Sequence, residues 1–269
     1  MQRFLASAQA LVFGMLAATP LALAQDNADE LAKQLSNPIA DLISVPFQSN
    51  FNWGAGVDGD GFAYTLNVQP VIPISISDDW NMISRTILPI AYRDYLPPPD
   101  GNTFGLGDTT QSLFFSPKAP GPGGLIWGVG PAFLIPTATD DFLGTGKLGM
   151  GPTGVALKQT GPWTVGVLAN QIWSVAGDDD REDVNQTFLQ PFVAYSLGHG
   201  TTINLNTQST YDWVADEWTV PIYFGASQIF KIGDQVLSFQ LNGTYYAQAP
   251  DGSPDWGIQT TLTFLFPKK

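Results

Sequence analysis

The chain has a single histidine, His199, set between Gly198 and Gly200, and no cysteine. Hydrolytic chemistry needs an imidazole beside a nucleophile and an orienting acid in a water-poor site. The sequence around His199 supplies neither. One histidine without any cysteine is also too few ligands for zinc. The reading is a turn histidine, no catalytic residue, no metal, no cofactor and no enzyme. The acid run Asp178-Asp179-Asp180-Arg181-Glu182-Asp183 offers the oxygen ligands that calcium takes. It has neither the spacing of an EF-hand nor a turn glycine inside the run, so a solvated loop is preferred. Arg85 and Asp108 differ from these, because each stands alone in an apolar or neutral stretch. An isolated Arg and Asp can set the selectivity of a pore or form a structural pair inside a fold.

Composition narrows what could hold such groups. Charged residues make up only 13% of the chain, whereas hydrophobic residues make up 44%, with 28 Gly, 17 Phe, 8 Trp and 8 Tyr. A soluble domain carries about 25% charged residues, so much of this surface is expected to face something other than water. The net charge of −13 excludes nucleic acid as a partner. Without cysteine, disulfides do not hold the fold.

The first 24 residues read as an address. Arg3 gives a positive start, an apolar run follows to Ala18, and Ala22-Leu23-Ala24 is a small-residue cleavage site. Export with cleavage before Gln25 is expected, which makes 1–24 a signal peptide. Beyond it no apolar stretch approaches the ~18 residues that a membrane helix needs. A membrane protein of this sequence must cross with strands. Residues 26–37 are helix-like, with Asn27 and Glu30 in a capping arrangement and Leu31 and Leu35 on one face, and Pro38 ends the pattern. The segment 25–44 is read as a periplasmic helix or a plug in a barrel mouth, the lead-in helix being preferred.

From residue 45 the period becomes two. In 61–76, Phe62, Tyr64, Leu66, Val68, Ile72 and Ile74 share one face, and Ala63, Thr65, Asn67, Gln69 and Ser75 share the other. Likewise Ile203, Leu205, Tyr211 and Trp213 oppose Asn204, Asn206 and Gln208, Phe239 and Leu241 oppose Gln240 and Asn242, and Ile258, Leu262 and Phe264 oppose Gln259, Thr261 and Thr263. Turn residues then mark strands near 45–53, 61–76, 81–93, 105–117, 125–136, 149–159, 163–176, 186–197, 201–213, 218–230, 235–247 and 256–266. The fold class is all-β, an antiparallel transmembrane β-barrel of about 12 strands over 45–269 with a short N-terminal helix.

Two further patterns agree with a barrel. Connections alternate between short ones, such as 77–80 and 198–200, and mostly longer ones, such as 94–104 and 177–185, which is the asymmetry of periplasmic turns and outside loops. Trp53, Trp80, Trp163, Trp173, Trp213, Trp218 and Trp256 fall near strand ends, where interfacial aromatics belong, and Trp127 stands further inside its strand. A soluble sandwich would have to bury these faces and would tolerate fewer Pro and Gly within strands. The acidic loops are expected to meet the divalent-ion-rich lipopolysaccharide surface.

The run Ser36-Asn37-Pro38-Ile39-Ala40-Asp41-Leu42-Ile43-Ser44-Val45-Pro46-Phe47, with Gly105-Leu106-Gly107-Asp108, Gly128-Val129-Gly130-Pro131 and Pro136-Thr137-Ala138-Thr139, resembles the outer-membrane transporter-like proteins grouped with the MetA-pathway phenol-degradation family. The resemblance covers nearly the whole mature chain. It implies a barrel, an outer-membrane location and hydrophobic or aromatic solutes. One departure is that Phe266 is followed by Pro267-Lys268-Lys269, where outer-membrane strands usually finish on an aromatic at the C-terminus as an insertion signal.

Strand parity points Asn67, Gln69, Asn204, Gln208, Gln240 and Asn242 inward, and Arg85 and Asp108 join them because a charge facing lipid costs a few kcal/mol. These eight are the expected channel lining. The expected function is an outer-membrane channel for small solutes in a Gram-negative bacterium, with outer-membrane lipid and lipopolysaccharide as surroundings. The alternative is a non-conducting structural or surface-interaction barrel. A ring of amides around a gap favours passage, and close packing of Arg85, Tyr223 and Phe192 favours a plugged wall.

Overall fold

The computed structural model describes residues 25–96 and 101–267. The expected signal peptide lies outside the described residues, as do 97–100 of one expected loop and the final Lys268 and Lys269. The chain forms a closed antiparallel barrel of twelve strands, as the period-two pattern predicts. They are β1 (Ile43–Ala55), β2 (Gly61–Val68, resumed as Val71–Ser75), β3 (Trp80–Arg93), β4 (Thr103–Leu106, resumed as Thr109–Pro117), β5 (Leu125–Ile135) and β6 (Lys147–Thr160). The second half comprises β7 (Trp163–Gly177), β8 (Asn185–Gly198), β9 (Thr201–Thr207, resumed as Ser209–Asp212), β10 (Glu217–Ile232), β11 (Gln235–Gln248) and β12 (Trp256–Phe266). Each strand pairs with its sequence neighbours, and β1 pairs with β12 from Ile43↔Phe266 to Trp53↔Trp256. That seam removes both sheet edges, so every ladder group finds a partner without water.

Alternation sets the two faces. In β12 the inward Gln259, Thr261, Thr263 and Leu265 are buried, while Trp256, Ile258 and Phe266 are exposed. Phe224 is 62% and Leu241 51% exposed on the outer face. At ~25 cal/mol per Å² of apolar area, such a surface is costly in water and favourable in hydrocarbon. Aromatic pairs mark both rims. Trp53 stacks on Trp256 at 4.7 Å and Tyr211 meets Trp218 at 4.9 Å at the long-loop end, and Trp80 meets Trp127 at 5.9 Å and Trp163 meets Tyr195 at 4.6 Å at the short-turn end. Trp127 is thus a rim residue, because β5 begins only two residues before it.

Three strands that the sequence suggests are continuous are broken, at Gln69-Pro70, Gly107-Asp108 and Gln208. Proline removes a ladder donor, and Pro70 accepts instead from the Thr86 amide at 3.1 Å.

Helix α1 (Gln25–Leu35) lies across the short-turn mouth. Asn27 and Glu30 fall inside it and therefore do not cap it. Its apolar face, Leu31, Ala32 and Leu35, packs on Leu42, Ile229, Val236 and Leu265. Pro38 ends it, and the Asn37 side chain accepts from the Ile39 amide at 3.1 Å. The turn Gly198-His199-Gly200 has positive φ at all three residues; His199 tolerates this between two glycines, which adopt it freely. Asp29 of α1 accepts from the Gly200 amide at 2.6 Å, which ties the helix to this turn.

Candidate functional site

The barrel interior is built of two materials. In the short-turn half, Ile39 enters from the N-terminal segment and packs with Ile83, Phe114, Val155, Leu157 and Leu168, with Phe188 and Phe192 against them. This apolar cluster follows from strand parity: Ile83 lies two residues from Arg85, and Phe114 lies two residues from both Ser112 and Ser116, so all face inward.

Around the opposite wall runs a ladder of side-chain hydrogen bonds. Arg85 Nη2 donates to Gln69 Oε1 at 3.3 Å, and Gln69 Nε2 donates to Gln48 Oε1 at 3.1 Å. Gln48 Nε2 donates to Asn50 Oδ1 at 3.4 Å, and the same oxygen accepts from Gln259 Nε2 at 2.9 Å. Asn242 Nδ2 donates to Gln259 Oε1 at 2.9 Å, and Gln240 Nε2 donates to Asn242 Oδ1 at 3.3 Å. The ladder crosses β3, β2, β1, β12 and β11. Asn242 is fully buried, and buried amides are stable only when paired in this way.

Above the apolar cluster is a cavity of about 240 Å³. Gln48, Asn67, Gln69 and Arg85 line one side, and Asn170, Gln186, Gln208 and Thr210 line another, with Leu134, Leu168, Ile172 and Phe188 between them. Among the described residues no carboxylate lies within ion-pair distance of Arg85, the ion pair found being Lys147 Nζ to Asp183 Oδ1 at 3.3 Å. The guanidinium therefore reaches the cavity as an uncompensated cation.

The structure brings Asn67, Gln69, Arg85 and Gln208 to this cavity and joins Gln240 and Asn242 to its ladder. Asn204 faces inward on β9, opposite Ala194 and Gly225. Asp108 is not brought to Arg85. Its carboxylate accepts from the Thr145 amide at 2.6 Å, the Thr145 hydroxyl at 2.8 Å and the Ala138 amide at 3.2 Å, so it folds the long 136–146 connection. Gln48, Asn50 and the apolar cluster are absent from the expected lining, although their parity relative to Gln259, Arg85 and Ser112 carries the signal.

The other chemical candidates are occupied with structure. Asp183 accepts from Ser174 at 3.0 Å besides its pair with Lys147, and these contacts hold its carboxyl below the usual carboxylate range. Asp178 accepts from the Asp180 amide at 3.0 Å. Among the described residues no three carboxylate or imidazole groups converge to hold an ion.

No protein-family model matches the chain, and no curated protein matches it. Solved structures do. An outer membrane channel from Pseudomonas putida F1 superimposes with a TM-score of 0.65 at 16% identity, over 84% of this chain and 94% of that one. The likeness is one of fold, a closed antiparallel β-barrel. The β domain of the Bordetella autotransporter BrkA has a TM-score of 0.44 at 12% identity, over 82% of this chain and 98% of its own. Escherichia coli outer membrane phospholipase A has a TM-score of 0.42 at 11% identity, over 90% and 98%.

Proposed function

We propose that the chain is a channel of the bacterial outer membrane through which small solutes pass. The observation that carries this reading is Arg85, a cation without a carboxylate partner that faces a cavity of about 240 Å³ beside a wall of amides. An unpaired interior charge is expensive unless water or a solute reaches it. A structural filling would have given it a carboxylate. The channel named in Pseudomonas putida F1 shares the architecture, and the apolar outer band and aromatic rims suit an outer-membrane setting.

The location implies that residues 1–24 are removed as a signal peptide and that the acidic loops meet lipopolysaccharide. His199 sits in a tight turn and has no assigned catalytic partner, so the protein is read as a carrier of solutes and not as an enzyme. The sequence resemblance to the MetA-pathway group supports hydrophobic or aromatic solutes, and so do the apolar residues lining the cavity.

A second reading, a non-conducting structural barrel, is favoured by one feature, the apolar cluster around Ile39 that occupies part of the short-turn half. Planar-bilayer recordings separate the two. Discrete conductance from refolded protein starting at Gln25 is expected of a channel. Complete insertion without current, even with 25–40 deleted, would leave the structural barrel.

A further inference from the structure

Resting on the channel reading, we propose that solute crosses along the β7–β8–β9 wall, beside the N-terminal segment, with Phe192 as the constriction and the Asn204 and Asn206 amides as its binding station.

Two cavities lie on this wall. The one described above reaches it at Leu168 and Asn170 on β7, Gln186 and Phe188 on β8, and Gln208 and Thr210 on β9. A second, of about 450 Å³, separates α1 from the same three strands and is bounded by Thr164, Ala194, Ser196 and Thr202. It opens at the short-turn mouth beside Asp29 and Lys33. The strand register shows how little divides them. Thr164 pairs with Ala194, Gly166 with Phe192 and Leu168 with Gln190, while Phe192 also pairs with Asn206 and Ala194 with Asn204. On β7 the cavities end four residues apart, about 13 Å of strand. The side chains in that interval are few: Gly166 contributes none, Phe192 covers it, and the amides stand on β9.

Phe192 fits a movable barrier better than a fixed wall. A Cβ at Gly166 would lie 2.5 Å from Phe192 Cζ, so the ring rests in the space that the missing side chain leaves. It packs on the edge of the apolar cluster and is itself only half-buried.

The amides carry a second, independent observation. Asn204 Nδ2 and Oδ1 and Asn206 Oδ1 are buried without a hydrogen-bond partner among the described residues. Further along the same row, through Gly225, the amides of Asn242, Gln259 and Asn50 bind one another. Buried amides left unpaired are a standing demand for a ligand or water. Asn204 is flanked by Ala194, whose side chain is a single methyl, and by Gly225, beside which Asn242 takes up the space that a side chain would fill. Phe192 stands beside Asn206 in the register and packs on the apolar cluster that includes Leu157 and Leu168, and none of the residues in the interval is charged. The fitting solute is small and uncharged, with one apolar face and one hydrogen-bonding edge.

The native chain lacks cysteine, so single cysteines report cleanly. In bilayers, 2-(trimethylammonium)ethyl methanethiosulfonate is expected to react with Asn204→Cys and block its current, while Ile83→Cys, inside the apolar cluster, stays protected. Phe192→Ala is expected to raise conductance several-fold, with Phe192→Leu between it and wild type, all variants keeping heat-modifiable migration. Benzamide, uncharged with one aromatic face and an amide edge, is expected to reduce the wild-type current and lose this effect in Asn204→Leu. A conducting wild type whose current ignores both Phe192→Ala and modification at position 204, or in which position 83 reacts instead, overturns the route and leaves the channel. Protein that inserts and never conducts in any variant overturns both.

Discussion

Gln259 on the last strand donates to Asn50 on the first, 2.9 Å away, so the seam that closes the barrel is held by side chains as well as by its backbone ladder. Gln259→Leu should leave the Asn50 oxygen with only Gln48 and the Asn242 amide short of an acceptor. A buried group that loses its partner costs about 1–3 kcal/mol. The expected result is a lower urea midpoint for loss of heat-modifiable migration, at unchanged strand content.

The register predicts opposite outcomes at neighbouring positions. Leu66 faces outward and Asn67 lines the cavity. Leu66→Arg should cost about 2–4 kcal/mol in hydrocarbon and reduce the folded fraction recovered in vesicles. Asn67→Arg should insert as wild type. Equal loss at both would contradict the facing.

Arg85→Ala removes a fixed positive charge from the cavity. If the lumen conducts, reversal potentials in a salt gradient should move toward cation preference, and unitary current should change. Stability should fall little, because Arg85 has no carboxylate to strand; its Gln69 contact is the bond lost.

Asp183 gives a pH dependence. Its carboxyl titrates below the usual range because Ser174 and Lys147 hold its charged form. A lowered folded-state pKa contributes stability above the unfolded pKa and loses it as pH falls through the folded value. The 178–184 connection should therefore stay protected from protease at neutral pH and open only below the ordinary carboxylate range. Asp183→Asn should open it at neutral pH and flatten the dependence. Any weakening between pH 6 and 8 would point to a different group.

The barrel was legible because strand parity is rigid: one polar residue placed inward fixes every second neighbour. Gln240 and Asn242 are examples, each on the inner ladder as its alternation requires. The apolar filling was harder to read for the same reason. Ile83, Val155 and Leu157 look like lipid-facing residues until Arg85 and Thr153 fix their parity, and apolar residues are ordinarily assigned outward. Asp108 misled differently. Its partner is Thr145, 37 residues along in a loop, and no strand period encodes such a contact. The break at Gln208 was likewise invisible, since a strand that bends and resumes in phase keeps its alternation, and the break at Gln69-Pro70 left the alternation intact although Pro70 lacks a ladder donor.

Ile39 sits only four residues before Ile43, where β1 begins its pairing with β12. At ~3.5 Å per residue that leash is about 14 Å long. Whatever displaces Ile39 from the lumen leaves it tethered at the rim, and its return is a unimolecular step with a millimolar effective concentration. A free peptide copying residues 25–40 would then have to reach comparable concentration to compete, so reclosure is set by the chain's own geometry and is indifferent to how much protein the membrane holds.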